Sequence, residues 1–223
     1  MREIVFDTET TGLDPAEGHR VVEIGCVELL NHMPTGETRQ WYLNPQRDMP
    51  EEAFRVHGLS EDFLGDKPLF AAVADEFLDF VVGATLIAHN ASFDMRFINA
   101  ELAALDRPNL PKDKVLDTIA LARRKIPGVQ YSLDALCRRF DIDLSARQHH
   151  GALLDAELLA EVYLELIGGR QPGLVLASEA KGTAAVQPAG HQARPPRAHA
   201  PSAEEAAAHQ AFVAKMKDPI WKK

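Results

Sequence analysis

Asp7 and Glu9 stand two positions apart directly after the apolar run Ile4-Val5-Phe6. Side chains alternate with a period of two in an extended strand, so both carboxylates would leave the same face at its carboxyl end. Crowded carboxylates need a cation. Hard divalent ions such as Mg2+ or Mn2+ take oxygen ligands of this kind, a common device for breaking phosphodiesters. The same triplet also fits Asp7 capping a turn into Thr10-Thr11-Gly12, with Glu9 solvated. A third carboxylate, Asp94, follows the short apolar strand Thr85-Leu86-Ile87-Ala88 and opens the helical pattern of Phe97, Ile98, Leu102 and Leu105. Strand-to-helix junctions are where open α/β sheets place ligands, although Ser92 or Asp94 could equally cap the helix. His150 and Asp155 are five residues apart, about 140° around a helix. They converge only if His150 sits on a loop before the helix, which Gly151 permits. Otherwise His150 is a surface histidine and Asp155 a first-turn carboxylate.

The elements that must position these groups follow from periodicity. Residues 21–29 read as a second strand with Val22, Ile24 and Cys26 on one face, and polar punctuation at 31–36 leads to a third strand about 40–43. Together these suggest an antiparallel meander. A short helix starts at Pro50-Glu51-Glu52-Ala53-Phe54, and His57 behind it suits a core or capping role. Residues 69–82 have helical spacing and end at Gly83, a suitable C-cap. A further strand is expected at Val115-Leu116-Asp117-Thr118, with helices about 117–126 and 132–140, and a long apolar helix running from Gly151 to Gly168.

With 223 residues, 46% of them hydrophobic, the chain can bury one α/β core and leave a tail. No stretch approaches the roughly 20 apolar residues of a membrane span, and Glu3 and Asp7 occupy the place where a signal peptide would be basic and then apolar. A cytoplasmic protein is expected. Cys26 and Cys137 lack a C-x-x-C spacing and read as reduced core residues. The net charge of -9 is uneven: of 24 Lys+Arg and 33 Asp+Glu, residues 169–223 hold 8 and 4, which leaves 16 and 29, net -13, for residues 1–168. Such a body repels a polyanion at long range. A nucleic-acid enzyme built this way gains from being delivered to its substrate.

Beyond Gly169, Ala, Pro, Gly and Gln dominate, and Pro188, Pro195, Pro196 and Pro201 block regular structure. That composition is a linker. Its apolar island is Gln171-Pro172-Gly173-Leu174-Val175-Leu176. A last helix is expected over about 202–217, followed by Asp218-Pro219-Ile220-Trp221. Its apolar residues are too few for a core, and an exposed Trp221 suits an interface as well as a disordered tail.

Taken together, Asp7, Glu9, Asp94, Asp155 and His150 resemble the four acids and histidine of the DEDDh 3'-to-5' exonucleases, and F-D-T-E-T-T-G, H-N-A-S-F-D and H-G-A-L-L-D-A resemble the flanking text. The likeness covers residues 2–168. Within the family, V-V-E-I-G, E-A-F-R-V-H-G-L, Y-S-L-D-A-L-C and L-L-A-E-V-Y-L are most similar to the proofreading subunits of bacterial replicative DNA polymerases. The resemblance implies an α/β, RNase H-like domain over 1–168, a mixed sheet flanked by helices. It implies two Mg2+ or Mn2+ ions on Asp7, Glu9 and Asp155, with Asp94 completing the shell through water and His150 as general base. Asp7, Glu9 and Asp155 would also meet the substrate, and Glu52 and His57 would lie near its terminal nucleotide. The product would be a 5'-mononucleotide from a single-stranded or frayed, mispaired 3' DNA end. By the same likeness 169–201 is a flexible linker, and Gln171, Leu174 and Leu176 within 171–176 form a candidate sliding-clamp peptide. Residues 202–223, with Trp221, would bind the polymerase catalytic subunit. Two rivals remain: an RNA-trimming DEDDh exoribonuclease using the same five residues, and a non-catalytic scaffold of the same fold. That all five chemical positions are filled argues against the scaffold.

Overall fold

Three strands come first: β1 (Arg2–Thr10), β2 (Val21–Leu30) and β3 (Met33–Tyr42). β1 pairs antiparallel with β2, and β2 antiparallel with β3. β1 runs past the apolar run to Thr10, so Asp7 and Glu9 lie toward its carboxyl end. The third strand begins at Met33 rather than near Gln40, and it is exposed at most positions before Trp41. Backbone pairing along an edge sets its length, and no apolar alternation betrays its first half.

Helices α1 (Glu51–His57), α2 (Glu61–Gly65) and α3 (Phe70–Val81) follow, then β4 (Thr85–Ala88) and α4 (Ala91–Ala103). β5 (Val115–Asp117), α5 (Thr118–Lys125), α6 (Leu133–Arg139) and α7 (Ala152–Ile167) complete the body. β4 and β5 add in parallel, giving the strand order β3-β2-β1-β4-β5. This computed structural model describes residues 1–147, 149–168 and 200–216. The chain divides into two compact units, Met1–Val175 and Leu176–Lys223. In the second, α8 (Ala203–Ala214) starts with a capping box in which Ser202 Oγ accepts from the Glu205 N–H at 3.2 Å and Glu205 Oε2 accepts from the Ser202 N–H at 2.9 Å.

Period-two alternation sorts the core into two layers. Ile4 and Phe6 of β1, with Ile24, Cys26 and Leu86, pack against Phe77 of α3 and Phe97 and Ile98 of α4. Val5, with Val27 and Ile87, packs on the other face against Leu136 of α6 and Leu159 and Val162 of α7. Helices therefore cover both faces of the sheet, each large buried side chain contributing roughly 1.5–3 kcal/mol. One expected position is corrected: Val21, not Val22, joins Ile24 and Cys26 in the first layer. The register between β1 and β2 slips from Glu9↔Glu23 to Thr10↔Val21, so Val22 is the extra residue of a bulge and the face changes there. Cys26 and Cys137 are free and buried, and burial raises both thiols, Cys137 to about 11. Among the described residues no helix is long and apolar enough to cross a membrane.

Candidate active site

β4 pairs with β1 only as far as Val5, whereas β2 accompanies β1 to Thr10. The end of β1 therefore opens on a crevice at the carboxyl ends of the parallel strands, the usual ligand position in such sheets. Asp7 and Glu9 have the parity of Val5 and Thr8 that of Phe6. Accordingly Thr8 Oγ1 reaches to α4 and donates to Asp94 Oδ1 at 2.7 Å, a buried bond. The turn that brings Asp94 there has Asn90 at φ 63, a left-handed conformation that Asn tolerates.

α7 supplies Asp155 from its first turn, and its start is seated on β2. The Ala152 and Leu153 N–H groups donate to the Glu23 carboxylate, and a Cβ at Gly25 would lie 2.2 Å from backbone atoms of Ala152 and Leu153. His150 precedes the helix on a loop, its N–H donating to the Val56 carbonyl at 3.1 Å. Five apart in sequence, His150 and Asp155 converge: Nδ1 lies 3.3 Å from Asp155 Oδ2.

Asp7, Glu9, Asp94, His150 and Asp155 all line one cleft of about 750 Å³. Candidate ligand atoms of Glu9, His150 and Asp155 lie within 4.8 Å of one another. Burial, then the charges of Asp94, Glu9, Asp155 and Glu23, push Asp7 well above the usual carboxylate range. Burial, then Asp155, Glu23 and Asp94, raise Glu9 to about 8. Asp94 is raised to about 7, by burial first, against the Thr8 hydrogen bond. Asp155 goes the other way, because hydrogen bonds and charge from His150 and Arg147 together outweigh its burial. Clustered oxygen donors that repel one another fit a hard divalent ion, whose charge relieves that repulsion.

Glu52 and His57 do not join this cluster. They line an adjoining cavity of about 450 Å³ that shares Thr8, Glu9 and Phe93 with the first. His57 is buried at the end of α1, its Nδ1 accepting from the Leu59 N–H at 3.0 Å, so it also serves the corner structurally. Burial lowers its pKa. Gln171, Leu174, Leu176 and Trp221 lie outside the described residues.

Residues 4–163 match the family of exonucleases of the RNase_T type. The chain belongs to this exonuclease family. It is 56% identical to DNA polymerase III subunit epsilon of Rickettsia conorii over 77% of this chain and 76% of that protein. With the subunit of the same name from Escherichia coli K12 it shares 48% identity over 94% and 91% of the two chains. Its fold is similar to the nuclease domain of 3'hExo, a DEDDh family member bound to rAMP, with a TM-score of 0.65 at 18% identity over 74% of this chain and 91% of that one. Fold and relatives make the chain a 3'-to-5' exonuclease of the DEDDh type, and that type depends on divalent metal.

Several residues of this cleft carry no signal in the sequence. Arg147, in the polar stretch between α6 and α7, donates from Nε and Nη2 to both Asp155 oxygens at 2.6 and 2.5 Å and also pairs with Asp134. Glu23 looks like a solvent-facing strand residue and is instead buried at the foot of α7. Thr8 is hidden between two more conspicuous acids. The G in V-V-E-I-G was the one available hint, since glycine inside a strand marks a close approach.

Proposed function

We propose that the chain removes mispaired nucleotides from 3' DNA ends for a replicative polymerase, releasing 5'-mononucleotides by a two-ion mechanism. The observation that carries this is the convergence of Glu9, His150 and Asp155 within 4.8 Å. Asp7, Glu9 and Asp155 would hold the ions, Mg2+ or Mn2+, with Asp94 completing the shell through water. When bound, such ions supply Lewis acidity that activates water and stabilises the leaving 3' oxygen. His150, half exposed on its loop, takes the proton of the attacking water, the usual work of a histidine general base. Glu52 and His57, in the cavity adjoining Glu9, flank the terminal nucleotide. Preference for errors needs no base reading: unpairing costs a few kcal/mol, and least at a mismatch.

The relatives' name supports a polymerase partner, and the charge of the body supports tethering. A linker of about 33 residues reaches roughly 32 Å and keeps the exonuclease concentrated at the primer end. Residues 202–223, with Trp221, would bind the catalytic subunit. Gln171, Leu174 and Leu176 would dock on the sliding clamp. The setting is cytoplasmic.

The deciding experiment follows mononucleotide release from 3'-mismatched and 3'-matched DNA primer-templates, with Mg2+ or EDTA, for wild type and His150→Ala, beside an RNA strand of the same sequence. Metal-dependent cleavage that favours the mismatch and is largely lost in the variant is expected. Cleavage of RNA without DNA turnover would move the reading to an exoribonuclease.

A further inference from the structure

One basic side chain is buried among the acids of the cleft. Arg147 is only 9% exposed, and its guanidinium engages both oxygens of Asp155, at 2.6 and 2.5 Å. The same group pairs with Asp134 and lies 2.9 Å from His150 Nδ1. A two-pronged fork of this kind fixes a carboxylate in orientation as well as position. It also sets a positive charge on the acid best placed, with Glu9 and His150, to hold a metal ion. A guanidinium and a dication repel each other and cannot share Asp155 on equal terms.

We propose that Arg147 is the resident counter-cation of this cleft: it holds Asp155 and His150 in place when no divalent ion is bound and gives up Asp155 to the arriving ion. The inference rests on the metal-site reading above. It makes Arg147 a positioning residue with two opposed effects. Without the ion it stabilises the protein, because removing one partner of a buried pair leaves the other charge uncompensated. Against the ion it competes. A purely structural arginine would do only the first, and an arginine that merely shaped Asp155 for the ion would strengthen binding rather than weaken it. Released from Asp155, Arg147 keeps Asp134, at the wall of the same cleft.

The test uses the full chain without DNA. Mn2+ is titrated calorimetrically into wild type, Arg147→Met and Arg147→Lys, and melting temperatures are read in EDTA. Arg147→Met is expected to bind Mn2+ at least about fivefold more tightly while melting at least about 4 °C lower in EDTA. Arg147→Lys keeps the charge but loses the fork, and should fall between on both readings. Unchanged or weaker Mn2+ binding in both variants overturns the proposal. If Arg147→Met does not fold in EDTA, Arg147→Lys decides by the same rule. Wild type that does not bind Mn2+ overturns the metal-site reading itself, a separate result.

Discussion

Gly25 of β2 lies so close to Ala152 of α7 that a Cβ on it would sit 2.2 Å from the Ala152 carbonyl carbon. The geometry of the cleft is therefore referred to the sheet through backbone contact. β2 seats the helix start, the helix start fixes Asp155, and β1 beside β2 carries Asp7 and Glu9. Gly25→Ala should push the first turn of α7 outward, costing about 1–3 kcal/mol by overpacking. A shift of about 1 Å in Asp155 would slow cleavage roughly 100-fold. Thermal melting, with assays well below the variant's midpoint, checks both. A folded variant that cleaves at the wild-type rate would sink the idea.

Glu23 adds charge to that contact and should shift the pH dependence. Its carboxylate raises the pKa of Asp7 and Glu9, and Gln40 Nε2 donates to it at 2.7 Å. Glu23→Gln keeps an acceptor for α7 but removes the charge, so Glu9 should ionise at lower pH. Metal binding requires deprotonated ligands. The acidic limb of cleavage at subsaturating Mg2+ should therefore move to lower pH, and a limb that stays put or moves up argues against this coupling.

Thr8→Val should move the same limb the opposite way. The Thr8 hydroxyl lowers the pKa of Asp94 against its burial, and without it the acid rises further above about 7. Leaving a buried carboxylate oxygen without its donor also costs about 1–3 kcal/mol. Opposite shifts for Thr8→Val and Glu23→Gln in one series of pH profiles are the expected signature, and parallel shifts contradict it.

What could be read in advance depended on whether a residue's surroundings lie in its own segment. The loop-to-helix logic around His150 needed only the five-residue spacing and Gly151, and α7 does begin at Ala152. The alternation of Ile4, Val5 and Phe6 reads directly into the two core layers. The first half of β3 was illegible because its side chains are solvated and only backbone pairing makes it a strand. The bulge at Val22 was illegible because it belongs to the pairing of two strands rather than to either sequence. Arg147 was hidden for a related reason: the side chains it bridges come from α6 and α7 and meet only after both pack on the sheet.

The tail carries a separate prediction. Deleting residues 170–223 should leave hydrolysis of short single strands nearly unchanged, since the cleft residues all precede the cut, and should abolish association with the polymerase catalytic subunit. Co-purification of the truncated chain with that subunit would assign the interface to the body instead.

Stability without metal should fall as pH rises through neutrality. Glu9 is raised from 4.5 to about 8 and Asp94 from 3.8 to about 7. A carboxyl whose folded pKa is raised favours folding fully below its unfolded value, and that advantage is lost as pH climbs through the folded value. The melting temperature in EDTA should thus decline between about pH 4 and 8, the window spanned by these two groups. The lowered pKa of Asp155 acts below 3.8 and does not enter it. Glu9→Gln removes the larger of the two valued shifts and should flatten the decline. Saturating Mg2+ should flatten it too, because bound cations favour the ionised acids. An equally steep decline in wild type, in Glu9→Gln and with Mg2+ would mean that the acid cluster is not its cause.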